Sequence, residues 1–180
     1  MLGRLQTEPA VDRPDLLAPV VHRALTGWPD APPEVLVAPI DPDLADTAAF
    51  CEAYDVGLDI SANCVVVAGR RGGESRYAAC VVLATTRADV NNLVRRHLDL
   101  RKASFAPTDD AVACTGMKFG GITPIGLPAG WPILVDPSVT TTPYVIIGSG
   151  VRHSKIVLPG SSLASLPGAV VLDGLGQPVR

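Results

Sequence analysis

Apolar residues return at helical spacing in some stretches of the chain and at strand spacing in others. Leu16, Leu17, Val20, Val21 and Leu25 recur every three or four positions, which predicts a helix opening at Asp12. Pro14 falls in its first turn, where a missing N–H costs nothing, and Gly27 and Pro29 end it. A Pro-rich stretch from Trp28 to Pro33 leads to a short strand over Val35–Ala38. Asp41 and Pro42 repeat the cap signal and open a second helix through Leu44, Ala48, Cys51 and Tyr54, closed by Gly57. The clearest hairpin pairs Cys64–Ala68 with Tyr77–Ala84 across a turn-rich segment, Gly69 to Arg76. Both runs are nearly continuous in apolar character, so both faces of these strands are expected to be covered. Thr86 or Asp89 opens a helix with Val90, Leu93, Val94, His97 and Leu98 on one face, and Thr108 caps a shorter one to Cys114.

The span Thr115 to Leu127 has neither period and holds four glycines and a proline. Short strands follow at Ile133–Val135, Tyr144–Ile147 and Lys155–Leu158, then a small helix from Ser161 to Leu166 and a last strand at Ala169–Leu172. The end of the chain, 174–180, reads as a loose tail. Helices interleaved with irregularly spaced strands predict an α/β fold with a mixed sheet.

Composition narrows this picture. A chain of 180 residues suits one domain. With 47% hydrophobic and 18% charged residues it is not disordered, and 17 glycines plus 17 prolines argue against a plain helical bundle. A net charge of −3 excludes a strongly basic nucleic-acid binder, although a local patch would suffice at an RNA end. No apolar run approaches the ~20 residues of a membrane helix. The first residues carry acids and lack an apolar signal core, so a cytoplasmic protein with no membrane and no DNA partner is expected. Cys51, Cys64, Cys80 and Cys114 form no CxxC pair and no cluster with histidine, so neither a metal site nor a cofactor is expected.

Glycine density makes the 115–127 loop the first candidate for chemistry. Glycines let backbone N–H groups approach a ligand closely, and Pro124 stiffens the run; the same composition also suits a tight crossover from helix to strand. The loop lacks the lysine ending of a phosphate-binding P-loop and the preceding strand of a dinucleotide fingerprint. Ser149 and His153 form no nucleophile elbow. Asp136 ends an apolar strand and reads as a cap or as an orienter of a ligand. Arg70, Arg71 and Arg76 cluster at the hairpin tip, which suits a solvated turn or contact with phosphates.

The order of several short motifs resembles the YbaK/EbsC family of aminoacyl-tRNA deacylases, relatives of the editing insertion domain of bacterial prolyl-tRNA synthetases. The residues are Leu98-Asp-Leu-Arg-Lys102, Thr115-Gly116, Gly120-Gly-Ile-Thr-Pro-Ile-Gly-Leu127, Ile133-Leu-Val-Asp136 and Gly148-Ser-Gly150, within Asp59 to Leu172. The resemblance implies a YbaK-like mixed sheet curled toward a barrel and surrounded by helices. The domain would span 41–173, with 1–40 as a packed N-terminal extension and 174–180 as a tail. It implies hydrolysis of mischarged tRNA in trans, with Cys-tRNA(Pro) as substrate, and partners in the tRNA 3′ acceptor end and prolyl-tRNA synthetase. Gly120 and Gly121 would hold the ester carbonyl by oxyanion-type donation. Ile122, Thr123, Pro124, Gly126, Gly148, Ser149 and Asp136 would line the substrate site.

The chain departs from the family at one position. Family members carry a lysine at the start of the strand that begins here near Cys64, and the matching residue is Asn63. A neutral amide hydrogen-bonds but cannot pair with a phosphate as an ammonium does. Three readings stay open: another cation such as Lys118 substitutes, Asn63 serves a different acyl substrate, or the domain binds a tRNA end, nucleotide or small ligand without cleaving it.

Overall fold

The computed structural model describes residues 2–179. Along the chain it forms β1 (Glu8–Pro9), α1 (Pro19–Thr26), β2 (Leu36–Pro39), α2 (Thr47–Tyr54), β3 (Ala62–Arg71), β4 (Glu74–Leu83) and β5 (Thr86–Ala88). Then come α3 (Arg95–His97), β6 (Ala103–Phe105), α4 (Thr108–Thr115), β7 (Ile133–Val135), α5 (Pro137–Thr141), β8 (Val145–Gly148), β9 (Ser154–Leu158), β10 (Ala169–Val171) and β11 (Gly176–Pro178). One antiparallel sheet has the order β1-β2-β9-β8. A mixed sheet has the order β10-β7-β4-β3-β6, with β7 parallel to both β10 and β4. A small third sheet pairs β5 with β11. The expected mixed α/β architecture is what the chain adopts. Among the described residues the two larger sheets are hydrogen-bonded to each other through one bridge, between Ser61 and Ile146, and do not close into a barrel.

Strand alternation distributes the apolar residues into layers. Val81, Leu83, Ile133 and Val135 meet Val145, Ile147, Ile156 and Leu158 in the main core between the sheets, joined by Leu17, Val21 and Trp28 from the N-terminal segment. The alternate residues Cys80, Val82 and Leu134 face outward and are covered by Val90, Val94, Leu100 and Leu175. Ile146 and Val157 leave the antiparallel sheet on its other side and pack on Phe50 and Cys51 of α2. With both faces covered, β4 is apolar without alternation over Ala78–Leu83, as its sequence predicted.

Several elements differ from the expectation, each for a local reason. The helix expected from Asp12 is two 3-10 turns, Ala10–Asp12 and Pro14–Leu16, before α1 begins at Pro19. Proline forces the preceding Ala18 into an extended conformation, ψ 144°, so no helix can run through it. Thr86–Ala88, read as a possible helix start, is a strand because Gly176–Pro178 pairs with it. The same pairing makes 176–178, part of the expected loose tail, a strand, and Arg180 lies outside the described residues. Helical structure begins only after Asp89, whose Oδ1 accepts from the Asn92 N–H at 3.2 Å. Strand β6 was not anticipated, since Ala-Ser-Phe has no strand signal of its own and is made extended by its pairing with Val67–Gly69. The hairpin strands run further than expected because Gly72 and Gly73, at φ 58° and 84°, make a two-residue turn of the kind that matches strand twist.

Asp136 stands at a junction. Its Oδ1 accepts from the Ser138 N–H at 2.9 Å and from the Ser138 hydroxyl, capping α5, while Oδ2 accepts from the Gly176 N–H at 2.7 Å. The carboxylate therefore ties the last strand to the end of β7. Asp136→Ala is expected to lower unfolding free energy by about 2 kcal/mol or more, the sum of a lost cap and a lost charge-assisted bond. Chemical denaturation measures this, and faster exchange of the Gly176 amide locates it.

Candidate active site

Strand β3 creates the site by being half unpaired. Along one edge it pairs with β4 from Ala62 to Arg71. The Ser61 carbonyl accepts from Ala84 at 2.7 Å on that edge, and the Val66 carbonyl accepts from Ala106 at 2.9 Å on the other. Backbone groups of an antiparallel strand alternate in direction, so Ala62 and Cys64 point to the second edge along with Ile60 and Val66. There β6 covers only the end from Val67, and β8 covers only the beginning, through Ile146 N–H to Ile60 carbonyl at 2.8 Å. Between these two strands the edge opens into a cavity of about 380 Å³. Thr47 and Phe50 of α2, Asn63, Gly120, Ile122, Gly148 and Lys155 line it, with Phe105 and Phe119 at its walls.

Lys155 is the residue that sequence reasoning missed. It sits on β9 between Ser154 and Ile156, is only 8% exposed, and directs its ammonium into the same cavity as Asn63. The Nζ donates to the Ala45 carbonyl at 2.8 Å and lies 5.2 Å from the centre of the Phe50 ring. No carboxylate lies within salt-bridge distance among the described residues. Burial lowers its pKa, an effect opposed by nearby Cys51 and Asp46. A signal was present in the sequence: Lys155 is the one charge in a strand whose next three residues, Ile156 to Leu158, are apolar, and a charge placed in a buried strand is costly unless it has a use.

Asn63 is held in place by Thr47, whose hydroxyl donates to its Oδ1 at 2.7 Å. That bond leaves the amide NH2 free to donate elsewhere. Cys64 also lines the cavity, but burial and neighbouring Cys80 push its pKa far up, so the thiol stays protonated and is a poor nucleophile.

In the glycine loop, donors alternate between internal and free. The Gly121 N–H donates to the Lys118 carbonyl at 2.9 Å, and the Thr123 N–H lies 3.4 Å from the Met117 sulfur. The N–H groups of Gly120 and Ile122, which line the cavity, have no protein acceptor among the described residues. The loop is fixed by close backbone approach. The Gly121 carbonyl accepts from the Gly150 N–H at 2.7 Å, and a Cβ on Gly148 would come within 2.6 Å of the Gly121 oxygen and 2.7 Å of the Ile122 oxygen. Gly121 itself packs against the backbone of Val151, with no room for a side chain.

Of the residues expected at the site, the cavity brings together Asn63, Gly120, Ile122 and Gly148. Lys118 is exposed and outside the lining. Thr123 is fully buried behind the loop, and its hydroxyl has no partner. Pro124 and Gly126 line a different, apolar cavity of about 840 Å³ beside Trp28 and Trp131. Ser149 is buried, bonded to the Ser154 hydroxyl at 2.7 Å and to backbone carbonyls. Asp136 serves the cap described above. Among the described residues no group of three or more His, Cys, Asp or Glu side chains is placed to hold a metal ion.

Solved structures share this architecture at low sequence identity. A candidate trans-editing enzyme for prolyl tRNA synthetase matches with a TM-score of 0.70 at 19% identity, over 87% of this chain and 97% of its own. The hypothetical protein APE2540 matches with a TM-score of 0.70 at 18% identity, over 80% of this chain and 92% of its own. A scaffold protein from work on computational epitope grafting matches with a TM-score of 0.72 at 21% identity, over 87% and 97%. In sequence, residues 41–166 match the family described as the aminoacyl-tRNA editing domain. That span includes α2, both edges of the open strand, the glycine loop and Lys155, and the chain belongs to the aminoacyl-tRNA editing domain family.

Proposed function

We propose that this protein is an aminoacyl-tRNA deacylase that clears mischarged tRNA in trans, with Cys-tRNA(Pro) as the substrate class. One observation carries the reading: Gly120 and Ile122, whose backbone N–H groups have no protein acceptor among the described residues, line the same cavity as the buried ammonium of Lys155. Ester hydrolysis places negative charge on the carbonyl oxygen as water adds to the ester carbon. Fixed N–H donors in a partly dry site stabilise that charge without reorganising. The bond from carbon to ribose oxygen then breaks, the ribose oxygen takes the proton, and a free amino acid and tRNA leave. In this scheme Lys155 pairs with a backbone phosphate of the terminal nucleotide, the role a neutral Asn63 cannot fill. Asn63 donates its free amide hydrogens to a polar group of the substrate.

Hydrolysis of Cys-tRNA(Pro) by the purified protein tests the reading, beside Ala-tRNA(Pro) and Ser-charged tRNA. Lys155→Met is expected to lower kcat/KM by about 10- to 150-fold, the worth of one charge-assisted hydrogen bond. Lys118→Ala, outside the cavity, should change it little. A wild type that binds charged tRNA and leaves it acylated would assign the cleft to binding alone.

Stability should move the other way. Replacing a buried, unpaired ammonium by an apolar side chain of similar length is neutral or stabilising near neutral pH. The folded-state pKa of Lys155 lies below its ordinary 10.5, so the folded protein binds fewer protons than the unfolded chain between those values. Wild-type stability therefore rises with pH across that window relative to Lys155→Met. Urea titrations of both proteins from pH 7 to 10.5 read the difference: the advantage of Lys155→Met should shrink as pH rises, and an advantage that grows with pH would contradict a lowered folded-state pKa.

A further inference from the structure

The chain has three phenylalanines, and the structure uses them in two ways. Phe50 is buried beneath Lys155. Phe105 and Phe119 are each 61% exposed, and both line the cavity. Exposing a large aromatic ring to water is unfavourable, and two such rings at one opening need a use.

Their backbones are rigid. Phe105 ends β6 in register with Val67, and the next N–H, of Ala106, bonds to Val66. Phe119 follows Lys118, whose N–H donates to the Gly150 carbonyl at 2.9 Å, and its own carbonyl accepts from the Arg152 guanidinium at 3.2 Å. Arg152 also donates to the Pro42 carbonyl at 3.2 Å, strapping the Phe119 segment to the chain before α2. The rings therefore stand on fixed supports at either end of α4, and little ordering entropy is lost when a flat ligand settles on them.

We infer that Phe105 and Phe119 are stacking platforms for the unpaired bases at the 3′ end of the tRNA. This rests on the proposed function and adds how the RNA is gripped. Exposed aromatic faces beside a cationic group are the usual means of holding single-stranded nucleic acid without reading its sequence. A protein of net charge −3 lacks the broad basic surface that would hold an RNA by phosphates alone, so stacking supplies the affinity that charge does not. Paired bases of the acceptor stem cannot use these platforms, because their faces are already stacked.

The test measures binding of full-length protein to uncharged tRNA, with 2-aminopurine in place of the terminal adenine as a stacking reporter. Phe105→Leu and Phe119→Leu keep apolar bulk and remove the π-face. Each is expected to weaken Kd by about 5- to 150-fold and to restore the reporter's fluorescence, whereas Phe105→Tyr and Phe119→Tyr retain tight binding and quenching. A tRNA lacking its unpaired 3′ nucleotides should bind weakly and be indifferent to either Leu substitution. Leu and Tyr variants that bind alike, or a truncated tRNA as sensitive as the intact one, would overturn the inference. If the wild type deacylates Cys-tRNA(Pro) while the Leu variants bind as it does, only the platform fails. If the wild type neither binds nor deacylates charged tRNA, the functional reading fails and the platform with it.

Discussion

Backbone lying directly on backbone is the constraint on which this site depends. The glycine loop meets the turn between β8 and β9 at a distance that admits no Cβ on Gly121 or Gly148. That approach lets the Gly121 carbonyl take the Gly150 N–H, and it fixes the direction of the peptide that follows. Because a trans peptide points its C=O and N–H oppositely, anchoring one oxygen behind the loop aims the next N–H, that of Ile122, away from the anchor. The loop owes its donors to this packing, and its glycines are needed for proximity as much as for their conformational freedom.

The second condition is an incomplete sheet. A strand edge with unpaired backbone groups is ordinarily covered or blunted. Here the edge of β3 is covered at both ends and left open in the middle, where α2, the loop and β9 surround it. The cavity thus combines backbone donors with one buried charge. Lys155 stands on a central strand, flanked by β2 and β8, so its position is set by strand pairing. Strand-borne groups hold their geometry better than loop-borne ones.

Much of this was legible in the residues. The apolar runs at Cys64–Ala68 and Tyr77–Ala84 announced central strands covered on both faces, and the glycine spacing announced the loop. The motif order from Leu98 to Gly150 carried the family. What could not be read was what depends on partners far away in the chain. Gly176–Pro178 looks loose until Thr86–Ala88 lies beside it, and Ala103–Phe105 has no strand character until β3 supplies it. The charge of the cleft was sought near the loop, at Lys118, because nearness in sequence was the available guide. It comes instead from β9, an interior strand of the antiparallel sheet whose Lys155 side chain lines the cavity. Ser149 and Asp136, polar residues in tempting places, turn out to hold the fold together.

The placement of β2 bears on how the molecule comes into being. Residues 36–39 pair with β9, so Ala38 lies beside Lys155, and the Ser154 hydroxyl bonds to the Leu16 carbonyl across 138 positions. Trp28 likewise reaches the Ser165 carbonyl, 137 positions away. A ribosome making this chain releases the first 40 residues long before their partners exist. Their apolar side chains must wait, exposed or guarded, until β9 emerges. Contacts of such long sequence separation slow folding, and the cleft can form only after β9 has been made. A nascent fragment that carries the β3–β4 hairpin and the glycine loop but ends before the turn into β9 therefore lacks both Lys155 and the Gly150 N–H that anchors the loop.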